Sequence, residues 1–321
     1  MTDKLQAPFP WFGGKSRVND LVWSRFGDVP NYIEPFFGSG AMLLGRPEPF
    51  DGNETINDKD GLVANFWRAV RYAPDEVAAF ADWPVNENDL HARHIWLVER
   101  KDGIGPRLEA DPDWFDAKVA GWWCWGLCCW IDSGWCSGEG PWQVQEVDGV
   151  RQLVHLSGAG QGVVKTDESG IYDWMRALSD RLRRVRVCCG DWRRITGGGS
   201  GAALRALFAS GNTCAVFLDP PYSDEADRNE TLYREDCLDV AHDVREWAIS
   251  HGDDLRLRIA LCGYEGEHEM PENWECVAWK AHGGYGSQSN GQARENSKRE
   301  RIWFSPGCLK PQPGLFGDVY A

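Results

Sequence analysis

What most restricts the fold of this chain is a series of short apolar segments that each end on an acid, with helical stretches between them. Asn31-Tyr32-Ile33-Glu34 is cut off by Pro35, and Glu54 to Asp58 is a second short strand with an acid at its end. Val185 to Cys189 runs into Gly190-Asp191, and Ala215 to Leu218 runs into Asp219. Between and around them, Ser16 to Phe26, Ala41 to Leu44, Gly61 to Tyr72 and Cys237 to Ser250 have helical spacing. Leu255 to Cys262 reads as another strand, and Trp274 to Lys280 and Glu300 to Phe304 can pair as closing strands. Such alternation predicts an α/β fold with a mostly parallel sheet and helices on both faces. Ligands of such sheets sit at the carboxyl ends of the strands, where the acids fall.

The pattern breaks between residues 73 and 180, which are rich in Trp, acids and Gly and include a polar, hairpin-like stretch from Gln143 to Val164. The expected organisation is a core of residues 1–72 and 181–321 interrupted by an inserted domain of residues 73–180. At 321 residues the chain is long enough for both. It has no apolar run of ~18 residues and no charged-then-apolar leader at its start, so it is expected in the cytoplasm, away from membranes. Cys124, Cys128, Cys129 and Cys136 raise the question of zinc. Their spacing lacks paired CxxC knuckles and tryptophans surround them, so buried thiols and no metal are expected.

The chemistry is concentrated after the fourth of these strands. In Asp219-Pro220-Pro221-Tyr222 two prolines fix the backbone and remove two N–H donors. A carboxylate and a backbone carbonyl there can accept both hydrogens of an amino group, and Tyr222 can stack on a flat ring. A rigid strand-to-loop turn with an exposed acid is the alternative. Gly38 and Gly40 allow close approach of the backbone to a ligand, with Glu34 beside the turn as an acceptor. Their spacing departs from the GxGxxG dinucleotide fingerprint, which disfavours pyrophosphate. Asp58 stands where a ribose-binding acid belongs in a nucleotide-binding βαβ unit, or caps a helix. Asp191 can accept from an adenine amino group while Trp192 packs nearby, or it too is a cap.

These residues resemble, in order and over nearly the whole chain, the Dam-type DNA adenine-N6 methyltransferases. Pro10-Trp11-Phe12-Gly13-Gly14-Lys15 looks like that family's N-terminal cofactor motif, and Glu34-Pro35-Phe36-Phe37-Gly38-Ser39-Gly40 like its cofactor loop. Asn57-Asp58 occupies the place of the ribose acid, and Gly190-Asp191-Trp192 that of the acid–aromatic pair on the cofactor adenine. Asp219 to Tyr222 matches the catalytic motif, and Arg299 to Trp303 resembles the closing strand. The resemblance implies a Rossmann-like S-adenosylmethionine-dependent methyltransferase sheet with an inserted target-recognition domain. It implies S-adenosylmethionine held by Trp11, Gly13, Gly14, Lys15, Glu34, Pro35, Phe36, Gly38, Gly40, Asp58, Asp191 and Trp192. Double-stranded DNA would be the substrate, with the target base flipped out of the helix and Asp219, Pro220, Pro221 and Tyr222 catalytic. Lys15 would lie near both cofactor and target; a lysine in a glycine-rich turn is otherwise solvated.

The net charge of −15 means that phosphates would have to meet local basic runs. Arg176, Arg181, Arg183, Arg184, Arg186, Arg193 and Arg194 form one, and Arg294, Lys298, Arg299 and Arg301 another; solvated helix faces are the alternative. Amino methylation of cytosine N4 or RNA, and a catalytically silent binding protein on the same scaffold, remain open beside adenine methylation. A homodimer and a partner subunit are both compatible. Phage-DNA modification, restriction protection and housekeeping methylation fit equally.

Overall fold

A computed structural model describes residues 5–11, 15–48, 50–130, 135–136, 142–147, 150–155, 170–197, 212–221, 240–279 and 299–310. Seven strands form one sheet: β1 (Asn31–Glu34), β2 (Asn53–Asp58), β5 (Val185–Cys189), β6 (Cys214–Leu218), β7 (Leu257–Tyr264), β8 (Glu275–Ala278) and β9 (Glu300–Phe304). Their order is β5-β2-β1-β6-β7-β9-β8. The first five are parallel neighbours, and β9 runs antiparallel to both β7 and β8. In chain order the left part is 3-2-1-4-5, the doubly wound arrangement. It changes direction between β1 and β6, the place at which such sheets open a ligand crevice. The pairing of β8 with β9 is the one the sequence predicts.

Alternation along the strands separates two cores. Ala215 and Phe217 of β6 join one apolar cluster, while Val216 and Leu218 join the other. Successive side chains of a strand point to opposite faces, so β6, buried at every position, must be covered on both. On one side lies α3 (Gly61–Tyr72), entered through Asp60, whose side chain accepts from the Leu62 N–H. On the other lies α10 (Val240–Gly252), which packs on β7 with Val244 and Ala248 buried.

Residues 73–180 are built mainly from helices laid against α3. α4 (Pro74–Ala81), α5 (Glu87–Val98), α6 (Lys101–Ala110) and α7 (Ala117–Cys129) precede an antiparallel pair, β3 (Trp142–Val147) and β4 (Val150–His155), and α8 (Gly170–Leu182) follows. The β3–β4 pair falls within the stretch read as a hairpin. α7 packs on α3 and α4, α6 on α3, and α8 on α3 and α4, within the same apolar cluster as one face of the sheet. Arg68 of α3 ties this layer down. It donates to the carbonyls of Leu108, Asp111 and Trp114 and, through its other terminal nitrogen, to that of Val187 on β5. Cys124, Cys128, Cys129 and Cys136 are buried in the layer. Burial pushes the Cys124 thiol well above its ordinary range and that of Cys129 up to about 12, so these thiols pack as apolar groups. Among the described residues no cluster of His, Cys, Asp and Glu is placed to hold a metal, and no helix is long and apolar enough to cross a membrane.

Candidate functional site

Four neighbouring strands, β5, β2, β1 and β6, deliver Asp191, Asp58, Glu34 and Asp219 to one edge of the sheet. The turn between β1 and α2 (Ala41–Leu44) holds the middle. Gly38 has φ 48° and Gly40 φ 67°, the left-handed region that favours glycine. Asp58 fastens this turn: its Oδ2 accepts from Gly38 N (2.9 Å) and its Oδ1 from Asp60 N (2.9 Å). The N-cap of α3 is Asp60, so the cap alternative for Asp58 does not hold. Trp67 Nε1 donates to Gly38 O (2.8 Å), and a Cβ on Gly38 would come within 2.8 Å of Trp11 Cε2. Trp11 therefore lies on the turn, half-buried, 6.3 Å between ring centroids from Trp123 of α7. Gly38→Ala is expected to cost about 2 kcal/mol, because the added Cβ meets both a forbidden φ and an indole. A lowered melting temperature with a shifted tryptophan emission checks this.

Asn57 reads in the sequence only as the neighbour of Asp58, with no role of its own. Its Nδ2 donates to Gly190 O (2.9 Å) and approaches Pro35 O (3.2 Å), so one buried amide joins the ends of β1 and β5 across β2. The signal available was a polar residue inside a buried strand.

Glu34 is buried, with 2% of the residue exposed, and its Oε2 accepts from Tyr32 Oη (2.8 Å). Burial drives its pKa well above the ordinary carboxylate range, and the nearby Asp219 adds to that. Phe36 is half-buried above Trp192, with ring centroids 6.3 Å apart. Trp192 itself sinks into the core beside Trp247. Asp191 is exposed; its Oδ1 accepts from Arg193 N (2.9 Å), but the N-cap of α9 (Arg193–Thr196) is Trp192, so the cap alternative does not hold for it either, and it faces a cleft. That cleft, about 210 Å³, is lined among others by Lys59, Lys101, Glu109, Gly190 and Asp191. The lysines and Glu109 come from the segment after β2 and from α6, which no strand-end motif marks.

Asp219 follows β6 and leads into buried Pro220 and half-buried Pro221. Its Oδ1 lies 3.0 Å from Lys15 Nζ. Lys15 is only 3% exposed, which removes the solvated alternative, and Glu300 Oε2 of β9 stands 4.0 Å away on its other side. The Lys15 ammonium also faces the Trp279 ring at 5.6 Å. The Asp219 side chain keeps 21% exposure toward the edge. Burial on its other sides raises its pKa above the ordinary aspartate range, although the Lys15 charge pulls it down. Gly13, Gly14 and Tyr222 lie outside the described residues, as do Arg294, Lys298 and the polar segment 287–296.

In the first basic run Arg184 and Arg186 are exposed, and the other arginines meet acids. Arg181 is buried against Glu54, Arg176 pairs with Asp75 and Asp173, Arg183 with Asp180, Arg193 with Asp191 and Asp243, and Arg194 with Glu109. Spacing along α8 and β5 could not reveal that acids from β2, α4, α6 and α10 would meet these guanidiniums. No family model matches the chain, and no curated protein matches it.

Proposed function

We propose that this chain methylates a planar exocyclic amino nitrogen, N6 of adenine in DNA, with S-adenosylmethionine as methyl donor. The observation that carries the reading is the position of Asp219-Pro220-Pro221 beside the switch point of the sheet, one strand from Glu34 and its left-handed glycine turn. The residues present suit the cofactor. Gly38 and Gly40 hold the turn in the left-handed region, with Trp11 and Phe37 packed against them, and the cleft beside Gly190 and Asp191 offers a carboxylate to an adenine amino group. Asp58 and Asp191 would hold its ribose and base, and the turn its amino-acid end. When bound, the group supplies a methyl already activated on a sulfonium.

The protein then has to position and stabilise. The Asp219 carboxylate and the backbone carbonyl next to it accept the two amino hydrogens, which orients the nitrogen lone pair. As the nitrogen acquires a methyl it becomes cationic, and the same carboxylate offsets that charge until one N–H proton leaves. Lys15 keeps Asp219 ionised in a site that otherwise favours its neutral form.

The net charge and the ion-paired arginines favour a second reading, a silent binding protein on this scaffold. Incubation with labelled S-adenosylmethionine and adenine-containing duplex DNA, followed by nucleoside mass analysis, separates the two. Label in N6-methyladenine is expected. Label in N4-methylcytosine would move the target, and no label in DNA or RNA would leave the silent binder.

A further inference from the structure

Most arginines of the first basic run meet acids; the cations of α5, α6 and α7 meet indoles. Lys118 Nζ lies 4.3 Å from the Trp122 ring centroid and 4.7 Å from that of Trp96. Arg100 covers Trp96 at 4.1 Å, and Arg107 covers Trp114 at 4.6 Å. Buried Arg93 lies 5.1 Å from Trp122, and Trp96 meets Trp122 edge-on at 5.1 Å. Lys118 and Trp122, four residues apart, share one side of α7, and Trp114 stands four residues before Lys118 at the entry to that helix. Arg100 and Arg107 are exposed and Trp96, Trp114, Lys118 and Trp122 half-buried, so the array lies at the surface. Glu99 lies 3.2 Å from Arg100, and Asp89 3.7 Å from Arg93. Among the described residues no acid stands at ion-pair distance from Lys118 or Arg107.

We propose that this face of α5, α6 and α7 binds the phosphate backbone of the DNA, with Lys118 and Arg107 as its contacts. The proposal rests on the DNA substrate of the methyl-transfer reading for its partner and on the cation–indole geometry for its place. A carboxylate that pairs with a cation cancels its charge and occupies its N–H donors, as happens to Arg176 between Asp75 and Asp173. An indole face holds a cation by its quadrupole and leaves the charge uncancelled. In a chain of net charge −15, that difference decides where a polyanion can settle. One strand of a duplex offers a phosphate about every 3.4 Å along its axis, so cations seated on different indoles meet different phosphates. Arg107 follows Pro106, which lines the cleft beside Asp191, so the array begins at a wall of that cleft. Contacts of this kind fix where the duplex lies and need no particular base sequence.

The test is fluorescence anisotropy of the full chain with a labelled adenine-containing duplex, from about 50 to 200 mM salt. Loss of one phosphate contact lowers the slope of log K against log salt by about 0.9, which is roughly an eightfold weaker affinity at about 0.1 M salt. Lys118→Gln and Arg107→Gln are each expected to show that drop, and Lys118→Arg, which keeps the charge, to stay at the wild-type slope. Arg176→Gln is the contrast: its guanidinium is exposed but already neutralised by Asp75 and Asp173, so the slope is expected to stay unchanged. All four are surface substitutions, and equal melting temperatures show that each variant is folded. A wild-type slope in Lys118→Gln, or an equal drop in Arg176→Gln, overturns the proposal, as does a wild-type chain that binds no DNA. Binding with the expected slopes and no label transferred would sink the methyl-transfer reading alone. Label transferred to DNA by a Lys118→Gln variant whose slope is unmoved would sink the array alone.

Discussion

Asp219→Asn is expected to lower the rate of methyl transfer about 10³-fold, equivalent to about 4 kcal/mol at the transition state, with the affinity for S-adenosylmethionine little changed. The substitution keeps the shape of the side chain and removes its charge. A neutral amide can still accept one hydrogen, but it cannot offset the positive charge that grows on the amino nitrogen. Cofactor affinity survives because the turn at Gly38, with Asp58 beneath it, belongs to different strands. Folding survives as well, because Lys15 retains Glu300 at 4.0 Å when its partner at 3.0 Å becomes neutral. The pH dependence follows from the same geometry. Burial lifts the Asp219 pKa above the ordinary aspartate range, and the active form is the carboxylate. The wild-type rate therefore climbs with pH through a midpoint above that range, and the residual rate of the variant lacks this step. Single-turnover kinetics and equilibrium cofactor binding, measured over pH, check each part. A variant that transfers at near wild-type rate would show that the pocket lies elsewhere.

The frame of the site was legible because it depends on local rules. A buried parallel strand reads as an apolar run that stops at polar or turn residues, and β1, β5 and β9 have the limits the sequence predicts. The turn between β1 and α2 was legible because only glycine is at ease at φ 48° and 67°. Side-chain direction was not. Glu34 read as a residue facing a ligand, yet Tyr32 lies two positions before it on the same face of β1 and captures it. Long-range pairing was hidden too. Lys15 meets Asp219 across 204 residues of chain; the resemblance put Lys15 near the target, but nothing in the local sequence announces the ion pair. The helices of residues 73–180 were obscured by composition. In α7 the run Gly121-Trp122-Trp123-Cys124-Trp125 is apolar around most of the helix, since one side meets α3 and α4 and another α5, so no polar stripe marks its period. The arginines of α8 keep the helical spacing of a solvated face, but Arg181 turns inward to Glu54.

That inward turn carries the largest expected effect on stability. Glu54→Gln is expected to lose about 3–5 kcal/mol of folding free energy, read as a lower urea midpoint with an unchanged slope. Glu54 is the second residue of β2 and only 3% exposed. Its Oε1 accepts from Arg46 Nη1 (3.0 Å) and Arg181 Nη2 (2.9 Å), and its Oε2 from Arg181 Nη1 (2.7 Å). Both guanidiniums stack on the Phe50 ring at 4.5 Å, and they close the layer by donating to Val29 O and Leu43 O. One carboxylate thus neutralises part of two largely buried cations, and an amide in its place leaves both without a full counter-charge. The effect should be confined to stability. Asp58, which holds the glycine turn, is four residues further along the strand, roughly 13 Å away, so the cofactor affinity of the folded variant stays at the wild-type level. Replacing all three members by apolar residues, Glu54→Leu with Arg46→Leu and Arg181→Met, is expected to recover most of the loss, because no buried charge then remains. An unchanged midpoint in Glu54→Gln would mean that water or a neighbouring acid already screens the two arginines, and the clasp at the base of the sheet would not be what holds α8 to β2.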